Sequence, residues 1–244
     1  MKTIFLTSNI GAFNKAKNEI DRCDNENGFI DRLKKEKDKL KTFVFVCSNP
    51  DTHEKTSFFA DITVKSLNLD GFGIEQYFII DHKFGGDIKK TLLSADAICL
   101  MGGNVPIQNK YLKEIKLKEV LDAYNGIIIG QSAGSINCEK EVYVQPESEE
   151  ETLDKKFKKI ISGLGLVDFK LWPHMNRAKS DELFGVTTFD MCLKDSKNFP
   201  IYGITDGGYV LVKKGKATAY GETLLFKNGE VSKICSTGDS VEVK

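Results

Sequence analysis

Short, nearly continuous apolar runs separated by longer charged stretches fill the first two thirds of the chain. Thr3–Leu6, Thr42–Cys47, Ile74–Ile80, Ala97–Met101 and Gly126–Ile129 are such runs. Their length and unbroken apolar character predict strands buried on both faces. The stretches between them carry helical spacing. Ser57–Leu69 offers Phe58, Phe59, Ile62, Val64 and Leu67 to a core, Asp87–Leu93 predicts a short helix, and Val105–Tyr124 predicts a long one. The highly charged Lys15–Lys39 segment is expected to include helix as well. Strands alternating with helices predict an α/β fold with a parallel sheet covered on both sides.

The pattern changes further on. Gln145–Lys159, with four glutamates followed by lysines, reads as a solvated loop or helix start. After Gly163–Leu166 a strand with Val167, Phe169 and Leu171 is predicted to end at Trp172-Pro173-His174, and Asp181–Leu193 reads as helix. The tail turns to β at Ile201–Thr205, Tyr209–Lys213, Ala217–Ala219, Thr223–Phe226 and Val231–Cys235, with a hairpin turn at Lys227-Asn228-Gly229-Glu230. With neither a repeat nor a low-complexity linker, residues 1–244 are expected to form a single domain.

Composition narrows the function classes. Lys+Arg and Asp+Glu both number 35, so nothing points to nucleic acid or an anionic membrane. No run approaches the roughly 18 apolar residues of a membrane span, and the apolar N-terminal stretch is too short for a signal peptide. The six cysteines form no C-x-x-C pair, which suits free thiols in a cytoplasmic protein. Three histidines, none at ligand spacing with a cysteine, give no metal site.

One motif carries chemistry. Gly130-Gln131-Ser132-Ala133-Gly134 reads G-x-S-x-G directly after the Ile127–Ile129 run. A strand ending in a tight turn with serine at its tip is a nucleophile elbow, and its glycines make room for the neighbouring strand and helix. The Ala133 amide, at the helix start, is placed to face an oxyanion. A serine needs a base. Among the histidines only His174 follows the elbow, at the end of a predicted strand, where an open parallel sheet presents its ligands. Ser132 and His174 are therefore expected on one rim of a single sheet, with His53 and His82 as weaker rivals. Asp206, after the Ile201–Ile204 run, is the first candidate for the acid, Glu147 the second and Asp168 the third. Met101-Gly102-Gly103-Asn104 follows a strand and can bring a second amide to a substrate carbonyl.

In this order the pieces resemble the peptidase E and cyanophycinase family of serine peptidases. The matching segments are Leu100–Asn104, Ile129–Ser135, Trp172–Asn176 and Ile204–Gly208. The resemblance implies a three-layer α/β sandwich with a mostly parallel central sheet, like class I glutamine amidotransferases (flavodoxin-like). It implies Ser132 as nucleophile, His174 as base, an acid at Asp206 (often glutamate in the family), and the Gly103 and Ala133 amides as oxyanion hole. Asn104 and Arg177 are candidate substrate-binding residues. Family members that cleave after an N-terminal aspartate carry a carboxylate-binding arginine in a segment that corresponds here to Asp181–Thr188, which has none. Arg177 lies nearer the histidine. The expectation is a cytoplasmic serine hydrolase of small peptides, monomer or homodimer, without cofactor. An esterase or amidase and a non-catalytic binding protein are the alternatives.

Overall fold

The computed structural model describes residues 2–14, 19–183 and 185–244. An eight-stranded sheet runs in the order Ser240–Val243, Lys216–Tyr220, Tyr209–Lys213, Thr3–Thr7, Ile127–Gln131, Ala97–Leu100, Thr42–Val46, Gln76–Ile80. The five strands from Thr3–Thr7 onward are parallel, and the three contributed by the tail are antiparallel.

Side chains that alternate along each strand sort into two apolar cores. Ile4, Leu6, Val44, Val46, Ile98, Leu100 and Ile128 share one core with Leu112, Leu117 and Leu121 of the helices Val105–Glu114 and Leu117–Ala123. Phe5, Phe43, Phe45, Cys99 and Ile129 share the other with Phe29 and Leu33 of the helix Phe29–Glu36, and with Ala60, Ile62 and Leu67 of the helix His53–Leu69. Period-two alternation therefore feeds helices on both faces, which makes three layers.

The predicted helix at Val105–Tyr124 is two helices. Lys116, at φ 50°, breaks it and turns Leu117, Val120 and Leu121 into the core. Phe58 and Phe59, expected inside, are 55% and 45% exposed. Thr56, Ala60, Thr63 and Leu67 form the buried stripe instead, which leaves the two phenylalanines on the outer side. Within Lys15–Lys39 the helix is Phe29–Glu36, and residues 15–18 lie outside the described residues. Gln145–Lys159 carries the short helix Glu149–Leu153, capped by Ser148. Asp181–Leu193 begins as a small hairpin, Glu182–Leu183 against Val186–Thr187, before the helix Thr188–Asp195.

The tail weaves between two sheets. A second, four-stranded sheet runs Lys170–Trp172, Ile201–Ile204, Thr223–Lys227, Glu230–Cys235. The chain crosses from it to the large sheet through Thr205–Gly208. The expectation that Ser132 and His174 share one rim is thus corrected: the strand before His174 is only three residues long and belongs to the small sheet. The place beside the elbow strand in the large sheet is taken by Thr3–Thr7. No described helix is long and apolar enough to cross a membrane.

Candidate active site

Two pairs of parallel strands end at one place. In the large sheet Thr7 is in register with Gln131, so the next residues, Ser8 and Ser132, emerge side by side. In the small sheet Trp172 is in register with Gly203, and His174 and Asp206 follow two residues beyond the ends of those strands.

The elbow is built by tight packing. Ser132 adopts φ 50° and ψ −111°, a conformation that costs a non-glycine residue of order 1–3 kcal/mol and persists only where neighbours enforce it. Its amide donates to the Thr7 carbonyl at 3.0 Å, and the Ser135 hydroxyl donates to the same oxygen at 2.8 Å. A methyl group at Gly130 would sit 2.8 Å from the Ser135 backbone, and one at Gly134 would drive into the Leu100 carbonyl. The two flanking glycines let strand and helix close around the serine.

His174 stands on a turn that also has a positive φ, 62°. The Met175 amide donates to the Ile204 carbonyl at 3.0 Å. The Met175 side chain fills the space that a methyl on Gly203 would need, 2.6 Å from its Cγ. This seat fastens the histidine turn onto the strand that leads to Asp206. The imidazole Nε2 lies 2.9 Å from Ser132 Oγ, and Nδ1 lies 2.6 Å from Asp206 Oδ1. Burial works against the ionised form of Asp206. Hydrogen bonds from His174, Ser8 and Asn176, with the charge of His174, outweigh it and hold the carboxyl at about 2. Asp206 is therefore an anion at any physiological pH, free to accept a hydrogen bond from Nδ1–H.

The Gly102–Gly103 turn closes the other side. A methyl on Gly102 would come within 3.2 Å of the Ser132 Cβ, and one on Gly103 within 2.6 Å of the Ser48 Cβ. Among the described residues, neither the Gly103 nor the Ala133 amide donates to another protein group.

The chain matches the profile of Peptidase family S51 over residues 10–220. It belongs to peptidase family S51. This family membership makes it a serine peptidase, acting on peptide bonds. Comparison with curated proteins finds no match. Among solved structures, the fold resembles that of a protein from Listeria monocytogenes EGD-e provisionally named peptidase E, with a TM-score of 0.57, 20% identity, and coverage of 90% of this chain and 98% of that one. At that identity the likeness speaks for the fold alone, a class I glutamine amidotransferase-like architecture.

The remaining candidate residues of the S51 peptidase lie elsewhere. Glu147, the second candidate for the acid, contacts Asn104 rather than the histidine: Asn104 Nδ2 donates to Glu147 Oε2 at 2.8 Å. Asn104 Oδ1 accepts from the Ile107 amide at 2.8 Å and so caps the helix that follows. Both ends of that amide are engaged within the protein. Asp168 is exposed and shares no hydrogen bond or ion pair with His174. Arg177 pairs with Asp181, Nε to Oδ2 at 3.2 Å. His53 pairs with Asp81, and His82 bridges Asp51 and Glu114. Among the described residues, no cluster of metal-ligating side chains occurs.

Sequence reasoning missed Ser8. Its hydroxyl, on a residue only 2% exposed, donates to Asp206 Oδ1 at 2.7 Å, accepts from the His174 amide at 2.9 Å and lies 3.2 Å from Nδ1. The signal was available, because Ser8 follows the first predicted strand at the edge where ligands meet a parallel sheet. Asn176 was also missed as a partner of Asp206. Its Nδ2 donates to Oδ2 at 3.3 Å and its Oδ1 accepts from the Asp206 amide at 3.2 Å.

Proposed function

We propose that this S51 peptidase hydrolyses small peptides through covalent catalysis at Ser132, with His174 as base and Asp206 as the acid that orients it. The observation that carries the reading is the 2.9 Å approach of His174 Nε2 to Ser132 Oγ, completed by Asp206 on the other ring nitrogen. In that arrangement Nδ1–H donates to Asp206, so the lone pair of Nε2 faces the serine hydroxyl. Ser132 attacks the scissile carbonyl while its proton passes to Nε2. Negative charge develops on the carbonyl oxygen, and the Gly103 and Ala133 amides donate to it. His174 then gives its proton to the departing amine. Water, deprotonated by the same nitrogen, attacks the acyl-enzyme and releases Ser132.

The thiols support serine rather than cysteine as the nucleophile. All six cysteines are buried and unpaired. Burial pushes Cys23, Cys47 and Cys192 up to about 12, far from the thiolate form that reacts. Unpaired cysteines also support a cytoplasmic setting.

The test is labelling with a fluorophosphonate followed by peptide mapping, alongside turnover of a dipeptide panel. The adduct is expected on Ser132, and Ser132→Ala is expected to lose both labelling and turnover while retaining its circular dichroism spectrum. Undiminished peptide hydrolysis by Ser132→Ala would overturn the mechanism.

A further inference from the structure

The two amides of the proposed oxyanion hole stand on different elements. Gly103 belongs to the turn after the strand Ala97–Leu100, and Ala133 opens the helix Ala133–Ile136. The helix holds Ala133. The turn is different: Gly102 and Gly103 are both exposed and bring no side chain to restrain it. Glycine gives the backbone its widest freedom, so whatever holds this turn comes from its neighbours.

Gln108 reaches it. The residue lies on the helix Val105–Glu114 and is fully buried. Its Nε2 donates to the Met101 carbonyl at 2.8 Å, the carbonyl of the peptide that leads into Gly102. The Met101 amide donates to the Val46 carbonyl at 3.0 Å, so both polar groups of Met101 are fixed. On its other side Gln108 Oε1 accepts from Asn137 Nδ2 at 3.0 Å. Asn137 is fully buried as well and ends the elbow helix, where its backbone amide donates to the Ala133 carbonyl at 2.9 Å. Its Oδ1 accepts from Asn109 Nδ2 at 2.9 Å, which decides the way its side chain faces. An unbroken hydrogen-bonded path therefore runs from Ala133 through Asn137 and Gln108 to Met101. The other end of the strand Ala97–Leu100 is tied by a bond of the same kind: the buried Tyr124 hydroxyl donates to the Ala95 carbonyl at 3.1 Å.

We propose that Gln108 is a positioning residue for the oxyanion hole. It ties the Gly102-Gly103 turn to the elbow helix, so that the Gly103 and Ala133 amides face one oxygen. The proposal rests on the peptidase reading of Ser132. Such donors act by being set in place before charge develops, and a donor that must first be ordered gives up much of its effect. Loss of the Met101 bond leaves Ser132, His174 and Asp206 untouched and loosens one of the two donors.

The experiment replaces Gln108 in two ways. Gln108→Met keeps the length and removes the donor. Gln108→Glu removes the donor and keeps an acceptor toward Asn137. Tyr124→Phe is the control, because it deletes a buried hydrogen bond at the far end of the same strand. Folding is checked by circular dichroism and stability by chemical denaturation. In the Gln108 variants kcat for the best dipeptide of a panel should fall about 10- to 100-fold, with KM within about twofold of wild type. The pH profile should keep its shape, since the base is not touched. The rate of fluorophosphonate labelling at Ser132 should fall with kcat, because the phosphonyl oxygen occupies the same hole. Tyr124→Phe should lose stability and keep both rates. Either Gln108 variant, folded, with both rates within about twofold of wild type overturns the proposal, and so does an equal loss in Tyr124→Phe. A wild type that labels at Ser132 but hydrolyses no peptide removes the peptidase reading alone, and the labelling rates still decide the role of Gln108. A wild type that neither labels nor hydrolyses sinks both.

Discussion

The large sheet and the small sheet each bring two residues to the site, and they do so under different constraints. Ser8 and Ser132 leave the centre of an eight-stranded sheet with helices on both faces, where a methyl group has no room at Gly130 or Gly134. His174 and Asp206 leave strands of three and four residues, and their side chains remain 21% and 31% exposed. Ser132 is strained and needs walls that do not yield. His174 must only reach it, and it is fastened by a few specific contacts: the Met175 seat, the Ser8 hydroxyl and the Asp206 carboxylate, which Asn176 holds in turn. Close packing surrounds Ser132, and His174 and Asp206 are positioned by hydrogen bonds.

The first way to break this contrast is at the contact itself. His174→Ala should lower kcat by roughly 10⁴–10⁶-fold with little change in melting temperature, as measured by steady-state kinetics and calorimetry. Residual activity within tenfold of wild type would mean the two rims do not cooperate. Asp206→Asn should cost about 10⁴-fold, because the ring loses the anion that selects its tautomer. That variant also carries a pH signature. A carboxyl lowered from 3.8 to about 2 stabilises the fold above the unfolded value, and this contribution is lost as pH falls toward the folded one. Melting temperatures recorded between pH 5 and 2, a window set by about those two values, should therefore fall less steeply for Asp206→Asn than for wild type.

The glycines sharpen the comparison. Gly134→Ala meets backbone and should destabilise by about 3 kcal/mol or more in chemical denaturation. Gly203→Ala meets the Met175 side chain, which can shift, and should cost about 1–2 kcal/mol while lowering kcat more than stability alone explains. Equal effects on both quantities at both sites would erase the distinction between the two rims. Ser8→Ala should lower kcat by about tenfold with KM nearly unchanged, since its hydroxyl holds His174 and Asp206 in place. The smallest effect is expected at Asn104→Ala, about 1 kcal/mol of stability from the lost helix cap, read by thermal melting.

The alternating apolar runs made the layers legible, because strands buried on both faces and amphipathic helices carry distinct periods. The helix break at Lys116 was invisible, since lysine gives no sign of a positive φ. The G-x-S-x-G elbow was legible because its glycines are forced by sterics. The partnership of His174 and Asp206 was legible by position after predicted strands. Their membership of a second sheet was not, because a three-residue strand leaves too little pattern to assign a partner. Ser8 escaped for another reason: a lone serine after a strand has many uses, and only the register of Thr7 with Gln131 brings it to the site.

The crossover at Thr205–Gly208 sets an order of assembly. The strand that begins the chain is flanked by the elbow strand and by Tyr209–Lys213, and Asp206 arrives with the latter. During synthesis, a growing polypeptide that already holds serine and histidine still lacks the anion and the sheet edge that align them. In the proposed mechanism the triad is therefore complete only once Thr205–Lys213 has been made and has docked beside Thr3–Thr7.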